Sequence, residues 1–200
     1  MIGTISPVVY GSRKRSKWIV AVALYAAGAG ASSFMLGAAA GILGSGLGMV
    51  VPARARLLVL SALAFAYALY ELSLIPLPKP QRRWQVPARW RVHFHPWMAS
   101  TLYGIVLGFG VLNYISVTTF HITLAWAFLA GDPLRSGLIM SVYGAAQALP
   151  ILIAGWRVET WDDASTAAVN SLEFRGAIHF VNGAALLIAA AYVSVVLYRL

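Results

Sequence analysis

The fold is decided by two apolar passages, 97-WMASTLYGIVLGFGVLNYISVTTFHITLAWAFLAG-131 and 134-LRSGLIMSVYGAAQALPILIAGW-156, joined by a turn at Asp132-Pro133. The first passage carries a polar segment, Asn113 to His121, at its centre. Hydrogen-bonding side chains are costly in hydrocarbon unless they face other protein or a water-filled cavity. The segment therefore predicts a helix bundle in a membrane, with polar side chains turned toward the interior of the bundle.

The composition supports this class along the whole chain. Of 200 residues, 60% are hydrophobic and 10% are charged, and the mean hydropathy is +0.76. The apolar runs are long and continuous, whereas a membrane barrel shows short alternating segments. We predict an all-α, polytopic helical membrane protein, one bundle over residues 1–200. Its five transmembrane spans are predicted at about 18–51, 57–77, 97–131, 134–156 and 174–198.

The charged residues flank the apolar runs, so the net charge of +9 is a topology signal and does not indicate nucleic acid. Most of the 15 basic residues lie in three regions, which are the N-terminal segment 1–17, a basic loop 79–96 and an otherwise acidic loop 157–175. The positive-inside rule places these regions in the cytoplasm. We therefore expect a multi-pass inner-membrane protein whose C-terminus lies outside after five crossings.

The chain contains no cysteine, which excludes disulfides, thiolate metal sites and thiol relays. His93 and His95 offer two metal ligands without a third nearby, so no metal site is expected. Haem between His121 and His179 is not favoured, because no paired spacing on one helix supports it. No cofactor is predicted.

Small residues and helix breakers predict where the helices approach one another or bend. The uncharged run Trp18–Val51 predicts a single helix that is tilted, kinked or overhanging, because two crossings would each be too short. Gly104 and Gly108 predict a close helix contact, and Pro150 predicts a kink near Gln147. A second glycine stripe shares one face of the first span: Gly30, Gly37, Gly41, Gly44 and Gly48.

Two polar features lie near the ends of spans. Glu71 is near the end of the second span, where an acid is more often paired or snorkelling than a buried proton carrier. The basic loop mixes cations with tryptophans, a composition suited to anionic headgroups. A docking site for a partner protein is the alternative. The residues predicted for this surface are Arg82, Arg83, Trp84, Arg89, Trp90 and Arg91.

The second half of the chain resembles a known family. Tyr103-Gly104-Ile105-Val106-Leu107-Gly108-Phe109-Gly110, the polar segment, Ala130-Gly131-Asp132-Pro133 and Tyr143-Gly144-Ala145-Ala146-Gln147-Ala148-Leu149-Pro150 resemble the second repeat of the CcdA/DsbD-type cytochrome c biogenesis transmembrane family, within the wider LysE-like superfamily. The resemblance implies two inverted three-span repeats, that is, a six-span fold whose first span is truncated here.

The same resemblance concerns redox chemistry, since family members carry reducing equivalents through two cysteines, one in each repeat. Ser6-Pro7-Val8 resembles the first of these positions, with Val8 in place of the cysteine. In the second repeat Ser116 takes the corresponding place. Both redox positions are therefore empty, and the resemblance implies a variant without thiol chemistry.

Three classes of function follow from these features. The first hypothesis is a transporter-like protein that passes a small solute through a polar mid-membrane cavity, because broken helices are where repeat transporters place their sites. The second is a non-catalytic membrane subunit that anchors a redox or respiratory complex. An enzyme is not favoured, because no cluster of acid, base and nucleophile is visible. The predicted cavity residues are Asn113, Ser116, Thr118, Thr119, His121, Gln147, His179 and Asn182.

Overall fold

The computed structural model describes residues 15–78, 90–110, 118–156, 158, 160, 162–163, 166, 169 and 174–199. Every regular element in this part of the chain is a helix, which confirms the all-α class. The helices are α1 (Arg15–Ser45), α2 (Leu47–Val50), α3 (Ala53–Glu71), α4 (Trp90–His93), α5 (Pro96–Gly108), α6 (Thr119–Ala130), α7 (Pro133–Ala146), α8 (Leu149–Gly155) and α9 (Arg175–Arg199).

Four helical stretches among the described residues are long and apolar enough to cross a membrane, which confirms a polytopic helical membrane protein. They are Arg15–Ser45, Ala53–Glu71, Pro133–Gly155 and Gly176–Tyr198. The predicted span 97–131 is built differently. Its helices α5 and α6 have 13 and 12 residues, and neither is long enough to cross alone. The predicted break lies between them, although residues 111–117 are outside the described residues.

Helix α1 covers most of the first uncharged run as one helix. Its 31 residues correspond to about 45 Å of helix, more than the hydrocarbon thickness. The short helix α2 follows, and the chain turns at Pro52 before α3 begins.

Helix α3 ends earlier than predicted, at Glu71 instead of Leu77. Ser73 adopts a left-handed backbone conformation, with φ 60°. The Ser73 N–H donates to the Tyr70 carbonyl and the Leu74 N–H to the Leu69 carbonyl, each over 2.9 Å. This is the Schellman arrangement that closes helix C-termini. A serine takes the position that glycine usually occupies, so no helix stop signal is visible there in the sequence.

The predicted bend before Pro150 is a break between α7 and α8. Helix α7 ends at Ala146, and Gln147 and Ala148 form a tight turn before α8 begins. In that turn the Gln147 N–H donates to the Gly144 carbonyl over 3.2 Å. Proline has no N–H to donate to the carbonyl four residues earlier, so α7 cannot continue through it.

The chain divides into two compact units. Unit 1 contains Met1–Ser33, Arg82–Tyr114 and Ser141–Phe174, and unit 2 contains Phe34–Gln81, Ile115–Met140 and Arg175–Leu200. Helices α1 and α7 are each divided between the two units, with one part in unit 1 and the other in unit 2. The prediction of one bundle over residues 1–200 stays a prediction.

Unit 1 is held together by aromatic packing and by close contact between α1 and α5. Its core contains Trp18, Val22 and Tyr25 of α1 with Tyr103 of α5 and Ile151 of α8. A side chain at Gly104 would collide with the Tyr25 backbone, and one at Gly108 with the Ala29 backbone. These contacts confirm the predicted small-residue approach and show that α5 runs parallel to α1.

Unit 2 is organised around α3, which packs antiparallel to both α6 and α9. The Ser61 hydroxyl, midway along α3, donates to the Ala190 carbonyl in the second half of α9 over 3.1 Å. Likewise, the Arg56 guanidinium donates to the Leu129 carbonyl at the end of α6 over 2.9 Å. The buried apolar core of the unit is Leu60, Ala64, Ala68, Ile122, Leu186 and Ala190.

The predicted glycine stripe has four members on α1 and one, Gly48, on α2, and the four on α1 confirm the predicted close approach. Gly30 packs against α7 within unit 1. Gly48 differs, because the nearest atom to a side chain added there is the Arg56 Nη1, 3.9 Å away. In unit 2 an added side chain would collide with backbone atoms at three positions: Gly37, Gly41 and Gly44.

Candidate functional site

Glu71, in the last turn of α3, is the only charged side chain among the described residues that is buried. Its carboxylate is 0% exposed. The residue follows Ala64 and Ala68 on one face of α3, at helical spacing, and this face packs against α6 and α9. The carboxylate is therefore directed into unit 2, and the snorkelling alternative does not apply.

The first partner of the carboxylate is the start of α6. The Thr118 backbone N–H donates to Oε1 of Glu71 over 2.6 Å. The first N–H groups of a helix have no partner within the helix, and they form the positive end of its dipole. Glu71 thus caps α6 from another helix.

The second partner is His179, in the first two turns of α9. Its Nδ1 is hydrogen-bonded to Oε2 of Glu71. Gly183, one turn further along α9, packs against α3, where an added side chain would lie 2.9 Å from Cγ of Leu72. This close approach lets the imidazole reach the carboxylate. The prediction that Glu71 is paired holds, although its partner is a histidine 108 residues away in sequence.

Two further polar residues complete the cluster. The Thr119 hydroxyl donates to Oδ1 of Asn182, which lies one turn from His179 on α9. Within the described part of the chain, the buried Oγ1 of Thr118 and Nδ2 of Asn182 have no hydrogen-bond partner. The cluster therefore has a donor and a hydroxyl to offer to a ligand, water or another part of the chain.

A cleft of about 780 Å³ adjoins the cluster. His179 is 22% exposed on the wall of this cleft, and Glu71 also lines the cleft, although its side chain is 0% exposed. The cleft lies at the end of α3 and the beginning of α9, so it is not halfway along these helices as the mid-membrane prediction would place it. The short helix α6 begins at this level, and its first N–H groups, which have no partner within the helix, explain why the polar side chains collect here. The remaining lining residues are Tyr70, Leu72, Ser73, Ile75, Pro76, Gly176 and Phe180.

A separate polar contact in unit 1 caps the end of α5. The buried hydroxyl of Ser33 donates to the Gly108 carbonyl over 2.7 Å. The last carbonyls of a helix have no partner within the helix, and in an apolar bundle they need one from elsewhere. In the passage 97–131, the end of α5 and the start of α6 are therefore each capped by a side chain from another helix. Ser33 caps α5 and Glu71 caps α6.

The structure brings together four of the predicted cavity residues, Thr118, Thr119, His179 and Asn182. His121 lies further along α6, and its ring packs edge-on against Phe120 with centroids 5.6 Å apart. The remaining three are elsewhere. Gln147 belongs to unit 1, at the break between α7 and α8, and Asn113 and Ser116 lie outside the described residues, as does Val8.

The predicted docking surface lies mostly outside the described residues, because Arg82, Arg83, Trp84 and Arg89 belong to the stretch 79–89. Arg91 is described only as backbone of α4. Trp90 differs from the predicted surface role. Its half-buried ring packs edge-on against Tyr103 of unit 1, with centroids 6.1 Å apart. An indole needs apolar neighbours, and the unit 1 core supplies them.

Sequence reasoning missed Glu71 and Ser33 as members of these sites. The signal for Glu71 was present, since it is an acid in an apolar helix with histidines elsewhere in the spans. For Ser33 no signal in the sequence indicated a capping role, because a serine in a glycine- and alanine-rich helix is not distinguishable from the other small packing residues.

The family model described as cytochrome c biogenesis protein transmembrane region matches residues 1–192 of the chain. The chain belongs to this family. The resemblance drawn from the sequence is thereby confirmed. This family member contains no cysteine. Placement in the LysE-like superfamily stays a prediction.

Curated relatives of this family member carry one name. The chain is 30% identical over 165 residues to methylamine utilization protein MauF of Paracoccus denitrificans. This alignment covers 80% of the chain and 60% of the relative. The protein of the same name from Paracoccus versutus is 26% identical over 166 residues, 80% of the chain and 61% of the relative. That of Methylorubrum extorquens is 29% identical over 144 residues, 72% of the chain and 50% of the relative. The chain thus spans at most about 60% of these relatives. No solved structure matches it.

Proposed function

We propose that this member of the cytochrome c biogenesis transmembrane family serves methylamine utilization by passing a small polar solute across the membrane at the Glu71 site. One observation carries the proposal. A fully buried carboxylate holds the start of a short helix with one oxygen and a cleft-lining histidine with the other. The remaining support comes from the energetics of burial and from the names of the relatives.

Burying an ionisable group in an apolar helix is expensive, and such groups usually mark pathways for solutes or ions. Transporters place these groups at discontinuous helices, whose exposed backbone ends bind charged or polar solutes. The Glu71 site has this construction, because α6 begins there and the hydroxyl of Thr118 is buried without a described partner. With both redox positions empty, a role in thiol transfer is not proposed.

Methylammonium is the first solute to test, because the relatives are named for methylamine utilization. The purified full chain is reconstituted into vesicles, and counterflow of radiolabelled methylammonium is measured at a pH where the cation predominates. We expect saturable counterflow above that of empty vesicles, reduced at least tenfold by Asn182→Ala. Arg135→Gln, at an exposed position outside the site, serves as the matched control and should transport normally.

Absence of counterflow for methylammonium and for a panel of small polar solutes would count against the transport proposal. Purification of the chain with a stable membrane partner, combined with that absence, would support the alternative of a non-catalytic membrane subunit. Asn182→Ala with normal counterflow would show that solute passes elsewhere.

The orientation belongs to the same proposal. We place the N-terminal segment and the basic loop in the cytoplasm of an inner membrane, with anionic lipid against the basic loop. Helix directions bear on the number of crossings and not on the side of each end: α5 runs parallel to α1 in unit 1, whereas α6 and α9 both run antiparallel to α3 in unit 2. This is the alternation of a chain that crosses five times.

A further inference from the structure

The Glu71–His179 pair connects the cleft to the first turn of α6. Both residues line the cleft, where the His179 side chain is partly exposed and the Glu71 side chain is fully buried. Nδ1 of His179 meets Oε2 of Glu71, and Oε1 of the same carboxylate holds the Thr118 N–H. A proton that arrives from the cleft is therefore one hydrogen bond away from the group that caps α6.

The charge of this pair depends on one proton. With a neutral imidazole the pair carries one negative charge, and with one more proton it is neutral. Apolar surroundings favour the neutral form. The positive end of α6 and the charge-assisted bond from Thr118 favour the negative form. The unprotonated pair thus holds α6 firmly, and the protonated pair holds it weakly.

We infer that the Glu71–His179 pair binds one proton as the coupling ion of transport, and that proton loading releases the start of α6. An incoming proton binds Nε2 of His179 while the Nδ1 proton passes to Oε2, which leaves a neutral imidazole and a neutral carboxylic acid. Because coupling is reciprocal, movement of α6 away from Glu71 favours proton uptake to the same extent. The coupling role rests on the transport proposed above, whereas the proton site rests on the geometry alone.

The pair shares its three helices with other titratable or charged residues, whose effects must be distinguished from those of the pair. Tyr70 precedes Glu71 on α3 and lines the cleft, His121 lies further along α6, and Arg175 begins α9. His121→Gln tests whether the effect belongs to the other imidazole. Asp132 provides a matched acid, since its Oδ1 accepts the Arg135 N–H at the start of α7 over 3.0 Å in an exposed setting.

The test is amide hydrogen exchange of residues 118–122 in the purified full chain, at neutral and acidic pH, corrected for the intrinsic exchange rates. We expect protection in the wild type to fall about 10- to 100-fold on acidification, the range for a hydrogen bond to a charged group. Glu71→Gln should show the low value at both pH values. His121→Gln and Asp132→Asn should behave as the wild type does.

His179→Gln provides the second variant, because glutamine keeps a donor near Oε2 but binds no proton. The loss of protection should then move to lower pH, since the carboxylate must take up the proton without the imidazole. Equal wild-type protection at both pH values, or wild-type protection in Glu71→Gln, overturns the inference. Should Glu71→Gln fail to fold, an unshifted pH profile in His179→Gln overturns it instead.

The exchange measurement needs no solute, so it fails independently of the transport proposal. A pH-dependent start of α6 in a chain that moves no solute overturns transport and leaves the proton site intact. Solute counterflow with a pH-independent α6 overturns the proton site and leaves transport intact.

Discussion

At the scale of single residues, Ser73 is the clearest case of a conformation that its side chain does not favour. Its left-handed backbone, φ 60°, ends α3 beside Glu71. The left-handed region costs an ordinary L-residue about 1–2 kcal/mol, and glycine avoids this cost. Ser73→Gly should therefore raise the free energy of unfolding by about 1 kcal/mol, measured by thermal or denaturant unfolding in detergent.

The matched control for Ser73→Gly is Ala62→Gly, which introduces the same residue inside α3. That change should lower stability by about 0.5–1 kcal/mol, because glycine is unfavourable within a helix. A Ser73→Gly variant that is less stable than the wild type would show that the serine hydroxyl, which lies at the cleft wall, contributes more than the backbone strain costs.

Ser33 offers a second test at the same scale. Its hydroxyl donates to the Gly108 carbonyl, and Ser33→Ala would leave that buried acceptor without its donor. We expect a loss of about 1 kcal/mol in unfolding free energy, since hydrogen bonds between membrane helices average somewhat less than 1 and reach nearly 2 kcal/mol. Ser45→Ala is the control, because that exposed hydroxyl only bonds within its own helix. Equal effects of the two changes would contradict a capping role.

At the scale of the elements, the glycines of α1 and α2 divide into those that require close contact and those that do not. A methyl group at Gly44 would collide with the Phe128 backbone, which cannot move aside as a side chain can. Gly44→Ala should cost about 1–3 kcal/mol of unfolding free energy, the range for overpacking. Gly48→Ala meets only Arg56 at 3.9 Å and should be neutral or stabilising. Unfolding curves of the two variants compare one substitution in two contacts, and a neutral Gly44→Ala would argue against tight packing there.

The elements also show which local features the sequence encodes. Helix α1 was predictable because an uncharged run between Lys17 and Pro52 has no other stable form in lipid. The break near Pro150 was predictable because proline changes the local backbone energetics directly. The end of α3 was not, because Ser73 carries no intrinsic signal for a left-handed conformation.

At the scale of the whole molecule, the site depends on contacts that no local pattern contains. Thr118, His179 and Asn182 were each recognised as polar residues in apolar surroundings. Their convergence on Glu71 follows from the antiparallel packing of α3 with α6 and α9, which brings together residues 47 and 108 positions apart. The sequence therefore predicted the kind of residue at the site, and three-dimensional packing selected its members.

The orientation of the molecule gives the last prediction, and the cysteine-free chain is well suited to testing it. A single introduced cysteine is the only thiol present, so labelling with a membrane-impermeant maleimide reports its side of the membrane. Arg135→Cys, at an exposed side chain in the first turn of α7, should label in intact cells. Arg82→Cys in the basic loop should label only after the membrane is opened, since basic loops remain in the cytoplasm. The reverse labelling pattern would show the opposite orientation. Labelling of both positions in intact cells would place them on the same side of the membrane, and the passage through α5 and α6 that separates them would then not cross it.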